Sequence, residues 1–229
     1  MSYIFTPPAT VSVPVKGSNK SFPVNPIYCV GQNYSDHVKE MGGDPKKNPP
    51  VFFSKPANAI VTKNADVKFA SATTNLHYEV ELVVALGGGG TYIATVDALQ
   101  YVYGYAVGID FTRRDLQDAA KQSGRPWDTA KGFDQSAPIS SITPIVDDKH
   151  LGDRRIALSL NDEIRQDANL NQMIWSVAEI IAELSKFYEL KEGDLIFTGT
   201  PSGVSNVSPG DRIHAVIDGI GEVEFDIVS

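Results

Sequence analysis

His77-Tyr78-Glu79-Val80-Glu81-Leu82-Val83-Val84-Ala85-Leu86 is the stretch on which the fold turns. It alternates at its start and becomes wholly apolar toward its end, as a strand does when it runs from a polar border into a core. Glu79 and Glu81 are two apart, so on a strand they leave the same face about 6–7 Å apart at the backbone. Set among Val80, Leu82, Val83 and Val84, two such carboxylates repel and lose hydration unless a cation neutralises them. The pattern alone fits the solvated face of a half-exposed sheet equally well. Both readings stay open at this level.

Outward from this strand the β signals continue in both directions. Ile27–Val30 reads as a short buried strand, and Val51–Ser54, Ala59–Val61 and Val67–Ala70 as further short strands broken by Pro and Asn. Val102–Ile109 is a second buried strand, with Gly104 and Gly108 marking close backbone approach, and it ends on Asp110. Ile156–Leu160 and Glu163–Gln166 flank the turn Asn161-Asp162, and the chain closes with Leu195–Thr198, Arg212–Ile217 and the alternating Val223, Phe225 and Ile227. Helical periodicity is confined to three places. Residues 32–41 form a polar stretch between Gly31 and Gly42-Gly43 that suits a hinging segment. Arg113–Gln122 reads as a second helix, with Thr112 and Asp115 resembling a capping pair at its start. Gln172–Leu190 is a long amphipathic helix with Ile174, Val177, Ile181, Leu184 and Tyr188 on one face. The expected fold class is α+β, predominantly β. Residues 1–24, rich in Val, Pro and Ser, read as an extended arm on the core of a single domain over 25–229.

Composition narrows the function classes. The chain has 229 residues, 42% apolar and 21% charged, which is ordinary for a globular protein. Lys and Arg total 20 against 28 Asp and Glu, a net charge of −8. An acidic surface repels phosphate backbones and anionic lipid, so no nucleic acid and no membrane is expected as a partner. An anionic substrate then needs a local positive centre, which a metal ion can supply. The one cysteine, Cys29, excludes an intrachain disulfide and a cysteine-rich zinc site. The N-terminus lacks the pattern of a signal peptide, and no stretch approaches the roughly 20 apolar residues of a membrane span, so a cytoplasmic location is expected. The run Gly87–Gly90 is not followed by Gly-Lys-Ser/Thr and is no phosphate loop.

Asp110 adds a third acid where an apolar strand meets a loop. Three carboxylates can form an oxygen cage for a hard cation and leave positions open for water and substrate.

Four blocks carry a wider resemblance: Tyr28-Cys29-Val30-Gly31-Gln32-Asn33-Tyr34-Ser35-Asp36-His37-Val38-Lys39-Glu40-Met41, Leu76 through Leu82, Gly104 through Asp110, and Phe197-Thr198-Gly199-Thr200-Pro201-Ser202-Gly203-Val204. In order and spacing they resemble the signature blocks of the fumarylacetoacetate hydrolase family over about residues 25–229. The lead-in, with Phe5-Thr6-Pro7-Pro8 and Phe22-Pro23-Val24, is most similar to the family's bacterial fumarylpyruvate-cleaving, acylpyruvase-type members. Gln32 and Ser35 stand where members of the family often have Arg and Ala.

The resemblance implies a mixed β-sheet roll with few helices, a catalytic domain over 25–229 and a homodimer. It implies that Glu79, Glu81 and Asp110 bind Mg²⁺ or Mn²⁺, and that His37 and Glu40, three residues apart on one helix face, form a catalytic dyad. Lys131 matches a lysine that faces the substrate, and Arg114, Gln117 and Thr200 match positions that contact the keto acid. The implied activity is hydrolysis of the carbon–carbon bond of a small 2,4-diketo acid, fumarylpyruvate to fumarate and pyruvate. Oxaloacetate decarboxylation, diketo-acid isomerisation and a non-catalytic metal-binding role remain alternatives. Arg113 and Arg125 are candidates for a distal substrate carboxylate by charge alone.

Overall fold

A computed structural model of the chain describes residues 2–35, 49–147 and 150–229. The central sheet has six strands, in the order Thr143–Pro144, Val102–Ile109, Val80–Leu86, Leu195–Phe197, Ile27–Gly31 and Val51–Lys55. Neighbours are antiparallel except Leu195–Phe197 and Ile27–Gly31, which are parallel. A second sheet has five strands, in the order Glu163–Asn169, Arg155–Leu160, Arg212–Ile217, Gly221–Val228 and Val67–Lys68. Asn161 and Asp162 take φ of 52° and 65°, as the two-residue hairpin between its first two strands requires. Among the described residues the α-helices are Arg114–Ser123, Asp128–Lys131 and Val177–Leu184. The fold is α+β and predominantly β.

Side-chain alternation assigns each face. Val80, Leu82, Val84 and Leu86 enter a core shared with Ile156, Leu158, Ile213 and Ala215 of the second sheet. Val83 and Ala85 point the other way, into a smaller core with Ile27, Cys29, Ala106 and Phe197. The strand is buried on both faces, which is why its apolar run is continuous. An antiparallel pair, Ser12–Pro14 with Ser21–Pro23, contributes Val13 and Phe22 to the smaller core.

Four local expectations are revised. The strand expected over His77–Leu86 breaks at Glu79: Leu76–Tyr78 pairs with Thr112–Arg113 and Ser205–Asn206, and Val80–Leu86 joins the central sheet. The expected helix over 172–190 is α-helical only over Val177–Leu184. Ser176 starts it, its hydroxyl accepting from the Glu179 N–H while the Glu179 carboxylate accepts from the Ser176 N–H. Asp115 does not pair with Thr112. Its carboxylate accepts from Thr73 Oγ1 (2.6 Å) and the Thr74 N–H (3.1 Å), tying the start of Arg114–Ser123 to the preceding turn. Of the helical, hinging segment expected over 32–41, residues 36–41 lie outside the described residues, and 32–34 are not helical: Gln32 takes a φ of 61° and Tyr34 bridges to Met173.

Candidate metal and active site

The site forms where the smaller core gives out. Glu81 shares its strand face with Val83 and Ala85, and across the sheet it stands opposite Gly108. A Cβ on Gly108 would lie 2.5 Å from Phe197 and 2.6 Å from Val83, so glycine keeps the strands packed there. Asp110 ends the neighbouring strand, and its N–H donates to the Glu79 carbonyl at 2.8 Å. One carboxylate oxygen from each of Glu79, Glu81 and Asp110 lies within 4.8 Å of the others. All three residues are buried, at 6%, 1% and 0% exposure.

Cations answer two of these acids. Lys131 Nζ donates to Glu79 Oε2 at 2.8 Å and to Asp110 Oδ2 at 2.7 Å. Lys55 Nζ lies 2.8 Å from Asp110 Oδ1 and also donates to the carbonyls of Phe111 and Lys131. Arg114 Nη2 bonds Glu79 Oε1, while its Nη1 donates to Gln117 Oε1 at 2.6 Å. Burial pulls the Lys131 pKa down, but the Asp110 and Glu79 carboxylates outweigh it and hold it at about 12. Lys131 is therefore an ammonium at neutral pH.

Glu81 is treated differently. Its Oε2 accepts the Gly199 N–H at 2.8 Å, and it forms no ion pair among the described residues. Burial first, then the charges of Asp110 and Glu79, push its pKa well above the carboxylate range. Gly199 supplies its N–H from a left-handed backbone (φ 95°), and a Cβ there would stand 2.7 Å from Asn33 Cβ. Three converging, buried carboxylates with one uncompensated fit a hard divalent cation such as Mg²⁺ or Mn²⁺.

A cavity of about 30 Å³ lies beside these groups, lined by Gln32, Glu79, Arg114, Gln117, Lys121 and Lys131, with Phe53 and Trp127 at its wall. Phe53, Trp127 and Lys131 also line a neighbouring cavity of about 300 Å³, bounded by Val51–Ser54 and Arg125–Asp128.

Of the residues singled out from sequence, Glu79, Glu81, Asp110, Lys131, Arg114 and Gln117 come together. Thr200 follows Gly199 but its hydroxyl accepts from Gln166 Nε2 at 2.8 Å. His37 and Glu40 lie outside the described residues. His77 meets Arg114 Nε at 3.3 Å, and burial, then that guanidinium, lowers its pKa to about 4. Arg113 is engaged elsewhere: its Nη1 donates to the Thr129 carbonyl (2.9 Å) and its guanidinium stacks 4.3 Å from the Phe133 ring. His150 bonds Tyr105, and His214 bonds Glu222.

Two residues escaped the sequence reading. Lys55 ends a strand that looks like an ordinary edge, and its only signal is a lysine closing Val-Phe-Phe-Ser. Gln166, fully buried, accepts the Val80 N–H at 3.0 Å and donates to Thr200 and the Pro201 carbonyl, so it braces the acid strand against the 199–201 turn.

Residues 26–228 match the family described as fumarylacetoacetate (FAA) hydrolase C-terminal. The chain belongs to the fumarylacetoacetate hydrolase family. Among relatives within that family, the crystal structure of fumarylpyruvate hydrolase from Pseudomonas aeruginosa in complex with Mn²⁺ and pyruvate superposes with a TM-score of 0.96 at 47% identity, covering 99% of each chain. A fumarylpyruvate hydrolase from a Ralstonia species is 42% identical over 176 residues, 77% of this chain and 91% of its own. The mitochondrial oxaloacetate tautomerase of Rattus norvegicus is 43% identical over 203 residues, 88% of this chain and 90% of its own.

Proposed function

We propose that this chain is a divalent-metal-dependent hydrolase that cleaves the C3–C4 bond of an acylpyruvate, with fumarylpyruvate, split to fumarate and pyruvate, as its substrate. One observation carries the reading: Glu81, 1% exposed and gathered with Glu79 and Asp110, has no cationic side chain paired to it among the described residues. Held by these three carboxylates, Mg²⁺ or Mn²⁺ supplies Lewis acidity to the 2-keto acid end of the substrate. The similarity to a fumarylpyruvate hydrolase crystallised with Mn²⁺ and pyruvate supports the same choice of ion and product.

The protein's own groups do the rest. Arg114 and Gln117, joined by their 2.6 Å hydrogen bond, orient the substrate carboxylate from the cavity wall, and Thr200 contributes its hydroxyl. His37, oriented by Glu40, takes a proton from water, and the resulting hydroxide adds to the C4 carbonyl. The C3–C4 bond then breaks, its electron pair passing into the enolate of pyruvate, and protonation at C3 completes the second product. The Lys131 ammonium holds the negative charge that develops on the enolate oxygen, a preorganised contact that needs no solvent rearrangement. Residues 25–229 form the catalytic domain and 1–24 an arm on it. The reading makes the protein a cytoplasmic homodimer in aromatic-compound breakdown; none of its described helices is long and apolar enough to cross a membrane.

A second reading, keto–enol interconversion of oxaloacetate, is favoured by the 43% identity to the rat tautomerase. It moves one proton between C3 and the 2-keto oxygen and breaks no carbon–carbon bond. Purified protein with Mg²⁺ is tested on fumarylpyruvate, acetylpyruvate and oxaloacetate, with EDTA and with His37→Ala. Release of pyruvate from the diketo acids, lost in EDTA and in His37→Ala, is the expected result. Loss of enol absorbance from oxaloacetate alone, with no pyruvate from any substrate, moves the function to the tautomerase, and carbon dioxide from oxaloacetate alone moves it to a decarboxylase.

A further inference from the structure

We propose that Arg125, on the wall of the larger cavity beside the acid cluster, selects substrates whose acyl end carries a second carboxylate. The proposal rests on the hydrolase reading above and specifies which acylpyruvates that site takes. The two cavities share Phe53, Trp127 and Lys131, so among the described residues the larger cavity gives a keto acid seated against Lys131 room to extend. Phe53 and Trp127, packed on each other in a tilted contact at 5.8 Å, form an aromatic wall there for a conjugated acyl chain to lie against.

The charges around the two cavities decide what can sit at the far end of the larger one. Arg114 is paired with Glu79, Lys131 with Glu79 and Asp110, and Lys55 with Asp110. Arg113 lines neither cavity; its Nη1 donates to the Thr129 carbonyl and its guanidinium lies over the Phe133 ring. Arg125 is exposed and lines the 300 Å³ cavity, and among the described residues it makes no ion pair and Asp128 is that cavity's one acid. Its backbone is fixed at the end of Arg114–Ser123, where its N–H donates to the Ala120 carbonyl at 2.9 Å. Lys121, one turn earlier, sits 5.2 Å over the Trp127 ring and adds positive potential from the smaller cavity. An anchored, unpaired guanidinium facing a cavity that adjoins the reaction centre is the arrangement that recognises a carboxylate, by two parallel hydrogen bonds. The methyl end of acetylpyruvate offers it nothing.

The test compares kcat/KM for fumarylpyruvate with that for an acylpyruvate of the same length ending in a methyl group. In Arg125→Met the ratio of the two is expected to fall about tenfold or more, as a lost charged hydrogen bond dictates, chiefly through KM for fumarylpyruvate. Arg125→Lys is expected to recover part of the ratio. An unchanged ratio in Arg125→Met, or a parallel fall for both substrates, overturns the proposal. If the wild-type protein turns over neither compound, the hydrolase reading itself fails, and fumarate binding to the Mg²⁺-loaded protein then judges Arg125 alone. Equal fumarate affinity in wild type and Arg125→Met overturns its role, and weaker binding in the variant sustains it.

Discussion

The tripeptide Glu-Val-Glu occurs at 79–81 and again at 222–224, and the two copies meet opposite surroundings. In both, the valine is core: Val80 is 0% exposed and Val223 1%. At 222–224 the glutamate side chains are 65% and 43% exposed and pair at the surface with His214 and Arg212. At 79–81 the residues are 6% and 1% exposed and belong to a cluster of acids and cations. The difference lies behind the strand. Gly221–Val228 has water on its second face, whereas Val80–Leu86 has a second core, built on Val83 and Ala85. A carboxylate facing that core cannot turn to water, so it must be met by Lys131, by Arg114, by the Gly199 N–H, or by an ion. The local pattern fixes which face a side chain takes, and the tertiary structure fixes what that face sees.

Removing the shared ammonium tests this contrast most strongly. Lys131→Met leaves Glu79 and Asp110 buried without the group that bridges them. The expected loss is about 3–5 kcal/mol of unfolding free energy in EDTA, read by denaturant titration. Mg²⁺ should restore part of it, since the ion answers the same carboxylates. Equal loss with and without Mg²⁺ would show that the acids do not hold the ion. Glu222→Gln on the second copy is expected to move Tm by less than about 3 °C.

Next in size is the ligand set itself. Glu81→Gln keeps shape and removes charge, and kcat is expected to fall about 10²–10³-fold, the scale of losing one transition-state contact. Calorimetric titration should show weaker Mg²⁺ binding alongside. Glu224→Gln, the same change in the solvated copy, should leave kcat within about twofold, as surface substitutions do. Matching effects at 81 and 224 would erase the distinction drawn between them.

Gly199→Ala probes the backbone that serves Glu81. The substitution puts a Cβ 2.7 Å from Asn33 in a left-handed conformation, and should cost about 3 kcal/mol or more. Because the Gly199 N–H donates to Glu81, Mg²⁺ affinity should fall as well as Tm. A fall in Tm with unchanged affinity would separate the turn from the acid.

How much of this was legible follows from the same contrast. Val102–Ile109 and Asp110 were readable because a continuous apolar run can end in only a few ways, and Gly108 marked close packing from its place inside that run. Glu79 and Glu81 were readable as a pair but not as a site, since residues 222–224 show the identical pattern in water. Lys55 was invisible because its role depends on where a long side chain reaches across the structure, to Asp110 and Phe111. Gln166 sits in Glu-Ile-Arg-Gln-Asp-Ala-Asn, where polar neighbours hide which residue turns inward. The helix expected over 172–190 overruns the observed one at both ends because Ile174 and Tyr188 keep the three- and four-residue spacing outside it. Apolar periodicity reports burial, not hydrogen bonding.

The smallest expected effect is on the surface of the second sheet. Arg155 Nε and Nη2 meet Asp167 Oδ1 and Oδ2 at 2.8 and 2.9 Å, a well-formed pair whose side chains are 41% and 49% exposed. The hydrogen bonds from Arg155 hold the Asp167 carboxyl below its usual 3.8. With the folded pKa below the unfolded one, the unfolded chain takes up the proton first as pH falls. The contribution is therefore complete above about pH 4 and disappears as pH drops through the depressed folded value. Solvent screening keeps it under about 1 kcal/mol. Asp167→Asn should thus be slightly less stable than wild type at pH 7, with the gap closing below pH 4. Salt at about 0.5 M should narrow that gap, since exposed charges are screened, while leaving the Lys131→Met loss nearly unchanged because buried charges are not. A gap that survived both acid and salt would mean that packing, not charge, joins Arg155 to Asp167, and the exposed half of the comparison would need another explanation.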